Sequence, residues 1–71
     1  MEHYLIRSTI IPIIVEYIRD KYGMTEDEAL RAFYLSETAD ALADDDTGLY
    51  GQSPLYLFGM YVNEQNEKMK S

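Results

Sequence analysis

Apolar residues fall into three segments along the chain, separated by turn signals at Gly23-Met24-Thr25 and at Asp44 to Ser53. In the first segment, a step of about 100° per residue gathers Ile10, Ile13, Ile14, Tyr17, Ile18 and Tyr22 on one broad arc. Glu16, Arg19 and Asp20 lie opposite, so the pattern predicts an amphipathic helix. Pro12 falls on the polar side, where its missing N–H and its clash with the Ser8 carbonyl predict a kink or the true start of the helix. A continuous helix from Tyr4 would place Arg7 inside the apolar arc, which favours a break near Pro12. The β-branched run from Thr9 to Val15 leaves a strand as the alternative for that stretch.

Gly23 fits the C′ position that closes this helix, and Thr25-Glu26-Asp27-Glu28 fits a capping box, with Thr25 as N-cap and Glu28 at N3. The second helix carries Ala29, Leu30, Phe33 and Tyr34 at helical spacing, with Asp27 and Arg31 as an i, i+4 pair outside. Ser36 is a possible N-cap for a short following helix through Ala39, Leu42 and Ala43, so the pattern allows either a kink or a restart near Leu35. After Asp44-Asp45-Asp46, the glycines of Thr47-Gly48-Leu49-Tyr50-Gly51-Gln52 allow a sharp loop that presses Leu49 and Tyr50 onto the core. Ser53-Pro54 then gives an N-cap followed by Pro at N1. The last helix presents Leu55, Leu57, Phe58, Tyr61 and Val62, and Gly59 inside it costs about 1 kcal/mol relative to Ala. The expected fold is all-α, a compact bundle of three or four short helices in one domain over residues 1–71, frayed at 1–5 and 66–71. Its expected core is Ile10, Ile14, Ile18, Leu30, Phe33, Leu42, Leu49, Leu55, Phe58 and Val62.

Leu, Ile, Val and Phe make up about a quarter of the 71 residues, above the roughly 20% level below which acidic chains are usually disordered. A domain of this size has a thin core, and without Cys it has neither disulfides nor thiolate metal sites. No apolar run is long enough to span a bilayer, and no membrane association is expected. Met1-Glu2-His3-Tyr4 lacks the basic start of a secretory signal, so the expected compartment is the cytoplasm. The net charge of −7 disfavours nucleic acid, whose affinity rests on Lys and Arg displacing counterions, and favours a basic protein as partner.

The inventory for catalysis is meagre. His3 is the one imidazole, close to a terminus and without the held geometry of a base or metal ligand. Glu26, Asp27 and Glu28 are accounted for by the positive end of the helix they begin. Asp40, Asp44, Asp45 and Asp46 form the densest charge and are of the oxygen-donor type that hard cations prefer. Their spacing does not fit an EF-hand, because Gly48 lies at the wrong offset and no Glu occupies position 12, so a solvated helix end explains them better. Phosphate capture by Gly51, Ser53 and the following helix is opposed by the same carboxylates. No catalytic residue, metal site or cofactor is therefore expected, and nothing selects a small-molecule ligand.

Seven Tyr and two Phe are more rings than such a bundle can bury. Half-burial with a wet hydroxyl accounts for most, and the remainder fit an interface, where Tyr is enriched. Tyr50 and Tyr56 flank the turn at Gln52 and are the candidate contact residues; base stacking by such rings would need neighbouring Lys or Arg.

Phe33-Tyr34-Leu35-Ser36 followed by Thr47-Gly48-Leu49-Tyr50-Gly51-Gln52-Ser53-Pro54-Leu55-Tyr56 resembles a group of short, functionally uncharacterised bacterial proteins, over roughly Ile10 to Glu64. The resemblance implies a stand-alone bacterial domain and carries no site residues with it. The expected function is a protein-interaction or regulatory module, an acidic or antitoxin-like neutraliser of a basic protein, binding through Tyr50, Gln52, Tyr56, Asp44, Asp45 and Asp46. The alternatives are a self-associating structural component, since the first helix is apolar over more than half its circumference and a homodimer would cover it, and a nucleic-acid binder using the second or third helix.

Overall fold

Four α-helices follow one another in the computed structural model, which describes residues 2–70 and the side-chain surroundings of residues 8–69. They are α1 (Glu2–Tyr22), α2 (Glu26–Tyr34), α3 (Glu37–Ala43) and α4 (Pro54–Lys70), with single 3-10 turns at Asp45–Thr47 and Leu49–Gly51. Among the described residues there is no strand, and the fold is an all-α bundle in which α1 and α4 are long and α2 and α3 short. None of these helices is long and apolar enough to cross a membrane.

Local capping chemistry sets most of the boundaries. Gly23 closes α1 with a left-handed φ of 65°, and the Met24 N–H donates to the Arg19 carbonyl at 3.1 Å, the longer bond of a Schellman turn. Thr25 and Glu28 form the reciprocal capping box: the Thr25 N–H donates to Glu28 Oε1 at 2.9 Å and the Glu28 N–H to Thr25 Oγ1 at 3.2 Å. The Ser53 hydroxyl accepts from the Tyr56 N–H at 3.1 Å, with Pro54 in the first helical position. Of the two outcomes open at Leu35, the structure shows the restart. Ser36 accepts from the Ala39 N–H at 3.1 Å while donating to the Phe33 carbonyl, so one buried hydroxyl ends α2 and begins α3.

Two expectations fail in α1. The helix runs unbroken through Pro12, and neither a start there nor a strand over Thr9 to Val15 forms. Ser8 and Pro12 are both exposed, so the carbonyl deprived of its helical donor lies where water reaches it and the cost of the proline is reduced. Helix also covers residues 2–5 and 66–70, while Met1 and Ser71 lie outside the described residues.

The core lies where α1 meets α2 and α4. Ile10, Ile14, Val15 and Ile18 from α1 pack with Ala29 and Phe33 from α2, Ala39 and Leu42 from α3, and Leu57 and Tyr61 from α4. Phe33 and Tyr61 anchor it: their rings lie 6.4 Å apart, Tyr22 meets Tyr61 edge-on at 6.1 Å and Tyr34 meets Phe33 at 5.9 Å. Leu30 and Leu55, expected inside, are 38% and 63% exposed; Leu49 and Phe58 are half-buried against the core, and Val62 is half-buried. Helix α4 is turned so that Leu57 and Tyr61 point inward; Leu55 lies more than a quarter-turn away from both, facing solvent.

The rotation of α4 also brings Glu64 against the start of α3. Its Oε2 accepts from the Glu37 N–H at 2.8 Å, and its Oε1 accepts from the Thr38 N–H at 2.9 Å and the Thr38 hydroxyl at 2.7 Å. Lys68, one turn on, completes the group at 3.3 Å. Helix α3 therefore has two caps, Ser36 from its own chain segment and Glu64 from 26 residues away. Burial alone would raise the Glu64 carboxyl, but the hydrogen bonds from Glu37, Thr38 and Lys68 outweigh it and hold the group below its ordinary value of 4.5.

Replacing Glu64 with Ala leaves the buried Thr38 hydroxyl and two helix-end N–H groups without their acceptor, and should lower unfolding stability in urea by about 2–3 kcal/mol. Because the folded-state pKa is depressed, the ionic part of this contribution is complete above the ordinary value and is lost as pH falls through the folded one. The stability gap between wild type and Glu64→Gln should accordingly narrow as pH drops from about 6 to about 3.

Candidate functional site

A half-open cleft of about 640 Å³ is bounded by α1, α2 and α3. Helix α1 contributes Ile11, Pro12 and Val15, α2 contributes Leu30, Phe33 and Tyr34, and α3 contributes Ala39, Leu42 and Ala43. The cleft exists because α3 has only seven residues and cannot cover the apolar width of α1 and α2. Phe33, Val15 and Leu42 are buried at its base, while Leu30 at 38% and Tyr34 at 56% exposure stand at its side. Pro12 occupies the opposite wall, so the proline ring adds apolar surface where an ordinary polar residue would have closed the stripe.

Its polar edge consists of Ser8, Glu26 and Asp40. Both charged side chains of this lining are acidic, and both are exposed. Asp40 lies on α3, and Asp44, Asp45 and Asp46 follow that helix along the chain.

The residues nominated from sequence are spread over one stretch of chain, from Asp44 to Tyr56, and line neither this cleft nor the recess described below. Asp44, Asp45 and Asp46 are exposed. Asp44 has a structural task, its Oδ1 accepting from the Asp46 N–H at 3.0 Å to start the first 3-10 turn. Thr47 secures the same loop by donating to the Ala41 and Asp44 carbonyls at 2.7 and 2.8 Å. Tyr50 is half-buried and packs against the core, so only part of its ring is available for contact. Gln52 is exposed, and Tyr56 is 53% exposed on the first turn of α4. Among the described residues no group of three His, Asp or Glu side chains is placed to hold a metal ion. The His3 side chain lies outside the described surroundings.

A second, shallower recess of about 500 Å³ lies over the Glu64 contact, between Glu37, Thr38, Ala41, Met60 and Asn63. Its central carboxylate is already committed to α3. Nearby, burial pushes the Tyr61 hydroxyl up, with Tyr22 and Glu64 adding to the effect, and burial raises Tyr22 as well.

That Glu26, Leu30, Tyr34 and Asp40 share a cleft is not visible in sequence because each has an ordinary local role: first-turn acid, core leucine, half-wet tyrosine, solvated aspartate. One local signal was present. Glu26, Leu30 and Tyr34 form an i, i+4, i+8 line beside the buried pair Ala29 and Phe33, making the apolar arc of α2 wider than a nine-residue helix needs. Comparisons with known proteins return no match, whether against family models, curated proteins or solved structures.

Proposed function

We propose that this chain is a protein-interaction module whose α1–α2–α3 cleft receives an apolar segment of a basic partner. The observation that carries the proposal is the pairing of an open apolar cleft with an edge whose charged lining residues, Glu26 and Asp40, are both acidic. An amphipathic helix laid into such a groove would place its apolar side chains against Leu30, Phe33 and Tyr34 and its Lys or Arg flanks toward the carboxylates. The net charge of −7 would draw such a partner in from a distance and repel acidic competitors.

Small-molecule binding is less well supported. Pockets of that kind set a few convergent polar groups among apolar walls to orient the ligand, whereas Ser8, Glu26 and Asp40 all lie at the exposed edge. No buried side-chain nitrogen or oxygen among the described residues lacks a partner and waits for one. The acidic loop at Asp44, Asp45 and Asp46 extends the same attractive field and needs no separate pocket.

A fluorescein-labelled amphipathic helical peptide of Leu and Lys is a suitable probe, read by anisotropy at near-physiological salt, with a matched Leu and Glu peptide as control. The Lys peptide should bind and the Glu peptide should not. Leu30→Ser and Tyr34→Ser should weaken binding by roughly tenfold each, and Glu26→Gln with Asp40→Asn should flatten its salt dependence. Tyr56→Ser should leave binding unchanged. Equal affinity in the Leu30 and Tyr34 variants would show that the peptide sits on charge alone and would refute the cleft.

A further inference from the structure

Helix α3 stands between two hollows. Ala39, Leu42 and Ala43 form its wall of the cleft, while Thr38 and Ala41 line the recess that it shares with α4. Its seven residues are too few to hold a helix by themselves, so this wall keeps its place through what grips it from outside. Ala39 and Leu42 are buried in the core. Ser36 and Thr47 reach the helix from the adjoining chain, the first accepting from the Ala39 N–H and the second donating to the Ala41 carbonyl. Glu64 reaches it from α4, accepting from the Glu37 N–H and from both the N–H and the hydroxyl of Thr38. The flanking residues Ser36 and Asp44 both have extended backbone, with ψ of 158° and 110°. Helical conformation therefore stops on either side, and the segment can part from its neighbours there.

The geometry points to α3 as a latched wall: it opens as one unit about Ser36 and Asp44 when Glu64 lets go of Glu37 and Thr38, and the latch sets how firmly the cleft holds its occupant. The second half of this inference rests on the cleft being a binding groove; the first half does not. Glu64 lines the recess and not the cleft, so beyond its single charge it acts on an occupant through the position of α3. A partner segment packed against Leu42 and Ala43 favours the closed wall. By linkage, a released latch lowers affinity in proportion to the fraction of chains whose wall is in place.

Amide hydrogen exchange read by NMR on the whole chain provides the test. In wild type, the amides of Ala41, Leu42 and Ala43 should exchange through an opening nearly independent of added urea, unlike those of Ile14 and Leu57 in the core. Ile18→Val, at a buried position that lines neither hollow, should speed exchange in the core and leave α3 as it was. Glu64→Gln and the uncharged change Thr38→Val should each speed exchange of α3 by roughly tenfold. Exchange of α3 that follows the core in urea and in Ile18→Val shows that it opens only with the whole molecule and overturns the latch. The Leu and Lys peptide should slow exchange of the α3 amides. Glu64→Ala and Thr38→Val should weaken its binding by roughly threefold or more, and Glu16→Gln, an exposed carboxylate on α1, measures the effect of one charge alone. Equal affinity in Thr38→Val and wild type, or in Glu64→Ala and Glu16→Gln, overturns the coupling to the cleft. A wild-type chain that binds no peptide refutes the cleft reading and the coupling with it, while the exchange measurement still decides whether α3 opens alone.

Discussion

The contact between Glu64 and the first turn of α3 is the constraint from which the rest of the arrangement follows. A seven-residue helix is far below the length at which a helix is stable alone. Here its free N–H groups are met by a carboxylate from α4, and the helix persists as part of that pairing. A partly buried charge is costly unless its oxygens are satisfied; the Glu37 and Thr38 N–H groups, the Thr38 hydroxyl and Lys68 satisfy them. The contact also fixes the rotation of α4. With Glu64 turned toward α3, Leu57 and Tyr61 on the preceding turns must face the core, and Leu55 must face away from it.

The candidate cleft is a consequence of that geometry. A short α3 leaves the apolar width of α2 incompletely covered, so Leu30 and Tyr34 stand beside an open cleft. A chain of this size has more apolar residues than its interior can hold, and in the cleft part of that surplus is edged with carboxylates.

What could be read from the sequence was governed by distance along the chain. Gly23, Thr25 with Glu28, Ser36, and Ser53 with Pro54 act on groups within a few residues, and each boundary they marked is present. The periodicity of α1 was equally plain, yet Pro12 suggested a break, because the propensity argument does not know that Pro12 and Ser8 lie on the exposed side of the helix. The inward side of α4 was not legible. Leu55, Phe58 and Val62 and the pair Leu57 and Tyr61 are adjacent arcs of one helix, and the choice between them depends on hydrogen bonds that Glu64 accepts from Thr38, 26 residues away. The cleft belongs to the same category, since three helices form it and no one of them records it. The nominated segment from Asp44 to Tyr56 was recognised by composition, and the side chains of Asp44, Thr47 and Ser53 shape its own turns.

Tyr61 gives the molecule a spectroscopic property that follows from its position. The chain has no Trp, so its near-ultraviolet signal comes from tyrosine and phenylalanine alone. Among the described tyrosines Tyr61 is the one buried residue, held between Tyr22 and Phe33 and placed one turn before Glu64. The asymmetric surroundings that give a ring strong circular dichroism are thus concentrated at the junction of α1, α2 and α4, beside the carboxylate that holds α3. The near-ultraviolet circular dichroism of this protein is weighted toward that junction, with no label required to read it.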